Sequence, residues 1–229
     1  MATYNLTAAQ LKGEGILNSF EIPAVGSFEN LYSLSFDGVD DELNFSSISL
    51  SGAFTLSFWL KPAAFGEYII GEHSLTRNLI KLHSATDVRI KMNNTQNNFT
   101  ESSNIMILNQ WQHLIFVKDA SNNASLFRNG VSFGSSATNN KTFTIDTISG
   151  LANFFFYEGN IDEVAIWNND QSSNISTIYN GGTPNDLSSL SPLTWWRFEE
   201  GSGTTAIDSG TGGNNGTLTN GVTYSTDVP

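Results

Sequence analysis

The sequence predicts an all-β protein built as a sandwich of two antiparallel sheets, with at most one or two helical turns. Short segments with apolar residues at every second position recur at intervals of about 8–15 residues. Other segments are apolar on both faces, which is typical of central strands in a two-layer structure. Hydrophobic residues make up 39% of the 229 residues, which is enough for one large core, and the chain has no cysteine for disulfides.

Residues 1–30 precede the first regular pattern, so we predict a short N-terminal arm followed by one domain over residues 31–229. Thr7 and Gln10 form a candidate capping box for a single helical turn. Residues 16–22 have the composition of a strand. Two interpretations stay open for this strand: it docks onto a partner or a neighbouring subunit, or it is an additional edge strand.

The strands that follow are predicted from their alternation. Residues 32–37 form a strand that Gly38 ends, and residues 54–62 form a core strand that Pro62 closes. Trp59 lies on the more polar face of this core strand, so it is either a platform for a sugar ring or a side chain covered by another layer. Further strands are predicted at residues 68–71, 79–82, 88–92, 111–118, 143–148 and 153–157, and a loop is predicted at residues 93–104.

Two connections have their own local signals. Asn129-Gly130 between apolar residues is typical of a type I′ hairpin turn. Residues 173–179 have the pattern of a short helix, which Gly181 and Gly182 would end.

Residues 159–168, GNIDEVAIWN, are predicted to form the central strand because apolar side chains occupy both faces. Strict alternation places Asp162 on one face with Val164 and Ile166, and Glu163 on the other face. A buried carboxylate is costly without a partner, so Asp162 needs backbone N–H groups, a basic side chain or a metal ion. Basic residues are scarce nearby in the sequence, which favours amide groups or a cation.

Five segments together resemble the concanavalin A-like, laminin-G-type jelly-roll domains. They are FDGVDDELNF, FTLSFWLKP, WQHLIFVKD, LFRNG and GNIDEVAIWN, and they occur in that family's order. The resemblance covers roughly residues 30 to 229 and implies jelly-roll topology. In many relatives a segment similar to residues 193–221 opens the domain, whereas here it closes the chain, so we expect a permuted order of the same sandwich.

Four acidic residues crowd the turn at positions 37–42, where like charges repel unless a cation or amide donors gather them. A solvated acidic turn is the alternative. The resemblance implies a structural calcium ion close to this turn, and the absence of cysteine leaves oxygen ligands for it. The candidate ligands are Asp37, Asp40 and Asp41 of the turn, Asp162 of the central strand and Asp208 of the tail.

Catalysis is not expected, although glycosidases share this sandwich. Glu158, Asp162 and Glu163 superficially resemble the carboxylates of laminarinase-like enzymes. On a regular strand, Glu158 would lie about 13 Å from Asp162, whereas the two carboxyl groups of a glycosidase lie about 5 Å or about 6.5–9.5 Å apart. The three histidines do not have the spacing of zinc ligands. We therefore predict no catalytic residues, and the residues that bind a ligand cannot be identified from the sequence.

The net charge of −12 argues against binding to nucleic acid or to an anionic membrane. No apolar run is long enough to insert into a membrane, and the N-terminus lacks the pattern of a secretory signal. Glycans remain as neutral partners.

Two functions fit these observations. The first, which the sequence favours, is a decoration or fibre component on the surface of a virus particle such as a bacteriophage, because the domain type works outside cells while the chain lacks a signal peptide and cysteine. Its richness in Asn, Ser, Thr and Gly also resembles phage fibre proteins. Residues 1–30 would then contact other virion proteins or further copies of this chain in a homo-oligomer. The second is a carbohydrate-binding or adhesion module of a bacterial cell-surface protein.

Overall fold

A computed structural model describes residues 28–74, 77–135, 137–150 and 154–229 of the chain. Two antiparallel sheets pack face to face and form the predicted sandwich. The predicted N-terminal capping box and the predicted strand at residues 16–22 lie outside the described residues.

Sheet A has nine strands and sheet B has eight. Sheet A consists of β1 (Ser33–Asp37), β3 (Phe54–Pro62), β8 (Gln112–Lys118), β9 (Asn123–Arg128), β10 (Val131–Ser132), β11 (Ala137–Thr138), β13 (Glu158–Trp167), β14 (Thr194–Trp196) and β17 (Thr223–Ser225). Sheet B consists of β2 (Glu42–Leu50), β4 (Glu67–Gly71), β5 (Leu79–Ser84), β6 (Asp87–Met92), β7 (Thr95–Thr100), β12 (Phe143–Ile148), β15 (Thr205–Ala206) and β16 (Gly216–Thr219).

The strand order shows how the two ends of the described chain meet. Along sheet A the order is β10-β9-β8-β3-β13-β1-β17, and along sheet B it is β15-β16-β2-β12-β4-β5-β6-β7. The first described strand, β1, therefore pairs with the last, β17, as a jelly roll requires. The C-terminal tail also pairs β14 with β13 and β16 with β2, so it contributes to both sheets.

The core lies between the inner faces of the sheets, where the apolar positions of the alternating strands meet. Phe54 is fully buried in it, with its ring 5.5 Å from Phe116 and 5.9 Å from Phe143 between centroids. Aromatic pairs at these separations add to the free energy gained by burial.

A second apolar cluster covers the outer face of sheet A. The helix α1 (Ile175–Tyr179) and Leu187 lie over residues of β8 and β13, which are apolar on both faces for this reason. Trp59 is buried under the same layer and stacks on His113 at 4.6 Å and on Tyr179 at 6.0 Å. The interpretation of Trp59 as a covered side chain is therefore confirmed.

Two local predictions are wrong. Residues 95–100 form strand β7 within the segment predicted as a loop, because Asn93 and Asn94 both adopt positive φ, 41° and 68°, and turn the chain back from β6. The strand predicted at residues 153–157 does not form over the described residues 154–157, because Phe155 adopts a φ of 58° and breaks the extended conformation.

We expect Phe54→Ala to lower the free energy of unfolding by about 3–5 kcal/mol, because it leaves a cavity between two aromatic rings. Urea denaturation followed by tryptophan fluorescence measures this change. The control is Val131→Ala on the exposed hairpin, for which we expect a change within about 0.5 kcal/mol. Equal effects of the two substitutions would contradict the placement of Phe54 at the core.

Candidate functional site

The acidic turn joins β1 to β2 and brings three carboxylates together. Gly38 has a φ of 75°, and a side chain there would meet the side chain of Glu158 at 3.0 Å, so the turn requires glycine. One carboxylate oxygen from each of Asp37, Asp40 and Asp41 lies within 4.8 Å of the others. Each of these residues offers an oxygen ligand of the type that calcium prefers.

Asp41 is the buried member of this cluster, with 2% of its surface exposed. Its Oδ2 atom accepts a hydrogen bond from the Asp37 backbone N–H at 2.9 Å. Its Oδ1 atom is buried and has no hydrogen-bond partner among the described residues. Burial raises the pKa of Asp41, and the charges of Asp37 and Asp40 raise it further, against the lowering effect of the Asp37 N–H. A buried oxygen without a partner is costly, so this site would be stabilised by a cation.

A β-bulge displaces Asp162 from the face predicted for it. The register between β13 and β3 shifts between Asp162 and Ala165, and Glu163 adopts a φ of 49°. The extra residue breaks the alternation, so Asp162 does not share a face with Val164, which belongs to the main core. The prediction from strict alternation is wrong at this point.

Amide groups hold the Asp162 carboxylate, which was one of the partners left open by the sequence. The Asn30 side-chain amide donates to Oδ2 at 3.0 Å, and the Glu163 backbone N–H donates to Oδ1 at 2.8 Å. Burial raises the pKa of Asp162 well above its usual range, and the charge of Glu163 adds to this effect.

Glu163 and its neighbours fasten residues 28–32 to the outer face of sheet A. The Trp195 indole N–H donates to Glu163 Oε2 at 2.6 Å, and Arg197 Nε lies 3.4 Å from Oε1. Arg197 also lies over the ring of Phe28, which stacks on Trp195. Glu199 accepts the backbone N–H of Leu31 at 3.0 Å. Burial raises the pKa of Glu163 to about 8, although Arg197 and Trp195 act in the opposite direction.

Asp208 organises the C-terminal tail. Its Oδ1 atom accepts the backbone N–H groups of Trp195 at 2.7 Å and Gly210 at 2.8 Å, and its Oδ2 atom accepts that of Asn214 at 2.7 Å. Three backbone donors satisfy this carboxylate without an ion.

The structure therefore brings together three of the five predicted calcium ligands, Asp37, Asp40 and Asp41. Asp37 pairs with Glu158 and Leu34 pairs with Ile161, so Asp162 lies about 13 Å along the strands from Asp37. Asp208 forms an isolated β-bridge with Trp196, and Trp196 pairs with Val164. Asp208 therefore lies beside a position of β13 that is still farther from Asp37.

Among the described residues, the strongly exposed large aromatic side chains do not belong to the acidic turn. Four of the five tryptophans are buried, as the sequence predicted for residues in strands. Phe154 and Phe155, by contrast, expose 66% and 56% of their surface. Phe155 lies edge-on to Tyr68 of β4, with 5.1 Å between ring centroids.

A basic row continues from these rings across the outer face of sheet B. Tyr68 pairs with Lys81, Lys81 with Arg89, and Arg89 with Asn98. The Lys81 ammonium lies 5.0 Å from the Tyr68 ring centroid and 5.1 Å from that of Phe155, which is the range of cation–π contacts. We call the surface formed by Tyr68, Lys81, Arg89, Lys91, Asn98, Phe154 and Phe155 the aromatic-basic face.

Sequence reasoning missed this surface because residues 153–157 were interpreted as a strand. The signal was the run of four aromatic residues at positions 154–157, of which a regular strand buries only alternate members. The positive φ of Phe155 turns its side chain out of the strand pattern.

Comparison with known proteins places this geometry in a family. A family model described as the concanavalin A-like lectin/glucanases superfamily matches residues 37–174, more than half of the chain. A search of curated protein sequences gave no match.

Solved structures share the fold at low sequence identity. A candidate carbohydrate-binding protein from Bacteroides ovatus superposes with a TM-score of 0.67 at 15% identity, over 86% of this chain and 60% of that one. A heptameric SAP-like pentraxin from Limulus polyphemus gives 0.60 at 15% identity, over 85% and 94%. The extracellular region of zebrafish Gpr126/Adgrg6 gives 0.52 at 14% identity, over 84% and 26%. The chain thus spans 60% of the length of the Bacteroides protein.

None of the helices in the described ranges is both long and apolar enough to cross a membrane.

The buried carboxylate of Glu163 makes stability depend on pH. Its pKa is raised from 4.5 in the unfolded chain to about 8 in the folded protein, so the folded state binds more protons between these values. Its stabilising contribution is complete below the unfolded pKa and is lost as pH rises through about 8. We expect Glu163→Gln, which keeps an oxygen for Trp195, to reduce the loss of stability between pH 5 and pH 8 by about 1 kcal/mol or more.

Urea denaturation of wild-type and variant proteins at the two pH values measures this difference. Asp170→Asn, which removes an exposed carboxylate while keeping an oxygen for the Ser172 N–H, is the control. The assignment fails if Glu163→Gln and wild type lose the same stability between the two pH values.

Proposed function

Because the chain belongs to the concanavalin A-like lectin/glucanase superfamily, we propose that it is a noncatalytic carbohydrate-binding module. The observation that carries this proposal is the aromatic-basic face, where Phe154 and Phe155 are exposed beside Tyr68. Sugar rings bind proteins by stacking their apolar C–H faces on exposed aromatic rings, while side-chain amides and charged groups bind the hydroxyls. The Bacteroides protein with the same fold is itself described as a candidate carbohydrate-binding protein.

The conformation of Phe155 supports a functional role for its exposure. A φ of 58° is unfavourable for a bulky residue, and such strain concentrates at binding sites. The Tyr68 backbone N–H donates to the Phe155 carbonyl at 3.1 Å and fixes this segment against β4. A large apolar side chain held outward at a conformational cost is better explained by a ligand than by folding.

The burial of the carboxylates supports the noncatalytic part of the proposal. Asp162 is fully buried and Glu163 is 3% exposed, so neither reaches a substrate at the surface. A glycosidase requires two carboxyl groups on either side of an accessible glycosidic bond. Beside the aromatic-basic face, the carboxylate of Asp87 accepts a hydrogen bond from Arg89 Nε at 2.8 Å.

We further propose that Asp37, Asp40 and Asp41 hold a structural calcium ion. The three clustered carboxylates and the buried, unpartnered Asp41 Oδ1 fit such an ion, because calcium takes several oxygen ligands and neutralises their charge. Gly221 lies against the same oxygen, and Asn220 donates to the Asp40 carbonyl at 2.8 Å. Calcium would therefore stabilise the contact between the acidic turn and the loop before β17.

A carbohydrate-binding module acts where glycans are present, so we propose an extracellular or cell-surface location. One structural neighbour is the extracellular region of a zebrafish receptor, which is consistent with this proposal. The fold and the comparisons add no support to a role in a virus particle, which stays a prediction from the sequence pattern and composition.

We expect about 10 mM CaCl₂ to stabilise the wild-type protein by about 1–3 kcal/mol relative to EDTA, the value for a dissociation constant of about 0.1–1 mM. Asp41→Asn should abolish this gain, because it removes the charge of the buried ligand. Chemical denaturation with calcium and with EDTA measures both effects.

Glu29→Gln is the control for loss of one negative charge, since Glu29 is exposed and lies elsewhere. It should keep the full response to calcium. If calcium stabilises wild type and Asp41→Asn equally, the ion binds at another place and this assignment is wrong.

We expect Phe155→Asn to weaken glycan binding about tenfold or more, because it removes the proposed stacking surface while asparagine tolerates the positive φ. A glycan array identifies the ligand, and isothermal titration calorimetry with that ligand measures the affinity of both proteins. Ile207→Ala removes an exposed apolar side chain at another site and should bind as wild type does. An array without any bound glycan would overturn the proposed function.

A further inference from the structure

The aromatic-basic face concentrates positive charge on an acidic protein. The chain has 10 basic and 22 acidic residues, yet Lys81, Arg89 and Lys91 lie together on strands β5 and β6. Their neighbours in sequence, such as Leu82, Val88 and Ile90, belong to the main core, so the three basic side chains lie on the outer face. Lys81 and Arg89 are directly paired across the strands.

These cations are poorly neutralised within the described residues. Arg89 Nε donates to Asp87 at 2.8 Å, which leaves the two terminal nitrogens of its guanidinium without a hydrogen-bond partner there. Lys81 and Lys91 form no ion pair with any described carboxylate. Burial and the charge of Arg89 both lower the pKa of Lys81. A bound anion would offset the repulsion between these two positive charges.

The amides beside the cations complete the lining of this surface. Gln96 pairs with Lys91, and Asn98 pairs with Arg89. The Gln96 amide donates to the Asn98 carbonyl oxygen at 2.8 Å, which fixes both side chains. Their remaining polar atoms, the Gln96 carbonyl and the Asn98 NH₂ group, are exposed and suited to sugar hydroxyls.

We infer that the aromatic-basic face binds an acidic oligosaccharide, one whose sugars carry carboxylates, as in a chain of uronic acids. This inference rests on the proposed carbohydrate-binding function and specifies its ligand. Phe154 and Phe155 would contact the sugar rings, and the Lys81 ammonium, 5.1 Å from the Phe155 ring centroid, lies within reach of a carboxylate on a stacked sugar.

The small number of cations on this face favours carboxylates over more densely charged groups. From Tyr68 to Asn98 the paired residues span three strand spacings, about 14 Å in all, which suits a short oligosaccharide lying across the strands. A uronate carries one charge on each sugar, and Arg89 offers the planar pair of donors that matches a carboxylate. A heavily sulfated chain or a nucleic acid would extend its charges over the rest of an acidic surface.

The test is an array of uronate trisaccharides and their carboxyl-reduced, neutral counterparts, followed by calorimetry on the strongest binder. We expect each uronate that binds to do so about tenfold or more tightly than its neutral counterpart. Lys81→Gln and Arg89→Gln should each weaken uronate binding about tenfold, and an unchanged melting temperature will show that the variants are folded. Lys141→Gln removes an exposed lysine at another site and should have no effect. Raising NaCl from about 50 to about 500 mM should weaken uronate binding.

The outcomes separate this inference from the proposed function. Neutral sugars that bind as tightly as uronates, with sensitivity to Phe155→Asn but not to Lys81→Gln, would overturn the acidic ligand and leave carbohydrate binding intact. No binding to any sugar would overturn both. Tighter binding of a sulfated trisaccharide or of a thymidine oligonucleotide, or an equal loss in Lys141→Gln, would also overturn the assignment to uronates.

Discussion

The central strands of sheet A, β3, β8 and β13, are covered on both faces over most of their length, and this constraint governs their buried polar groups. A polar side chain buried without a partner costs free energy, and most of those on these strands have a partner inside the protein. The Ser57 hydroxyl lies 2.7 Å from His113 Nε2, and burial lowers the pKa of His113 to about 3, so this histidine is neutral. The Lys118 ammonium donates to the Lys141 carbonyl at 2.8 Å. None of these groups is available to a ligand.

The same constraint explains how the two ends of the described chain are held together. The β-bulge places Asp162 and Glu163 as successive residues under cover, and two carboxylates there require several donors. Asn30 supplies one from the N-terminal side, while Trp195 and Arg197 supply others from the tail. Sheet B is different because its outer face is open around β4–β7. Its strands therefore alternate, and the basic side chains of Lys81, Arg89 and Lys91 remain partly exposed.

The sandwich and most of its strands could be predicted from the sequence because burial follows the two-residue period directly. β3, β12 and the Asn129-Gly130 hairpin lie where their patterns placed them. The errors lie where a single backbone conformation changes the period. Positive φ at Glu163 moves Asp162 away from its predicted face, and positive φ at Phe155 exposes a side chain that a strand would bury. Neither glutamate nor phenylalanine favours positive φ. The run of aromatic residues at positions 154–157 indicates that some rings are exposed, but it does not show which ones or where they lie. The clustering of Asp37, Asp40 and Asp41 was therefore predictable, and the position of the aromatic-basic face was not.

The positive φ angles also give the amino-acid composition a physical explanation. Among the described residues other than glycine, twelve have positive φ, and seven of these are asparagine: Asn93, Asn94, Asn109, Asn122, Asn129, Asn180 and Asn220. Asparagine tolerates the left-handed region better than other residues with a side chain. Short connections between antiparallel strands often require a residue with positive φ, and asparagine suits these positions. Turn geometry therefore explains part of the asparagine content, which makes that content a weak guide to the habitat or the kind of particle in which the protein evolved.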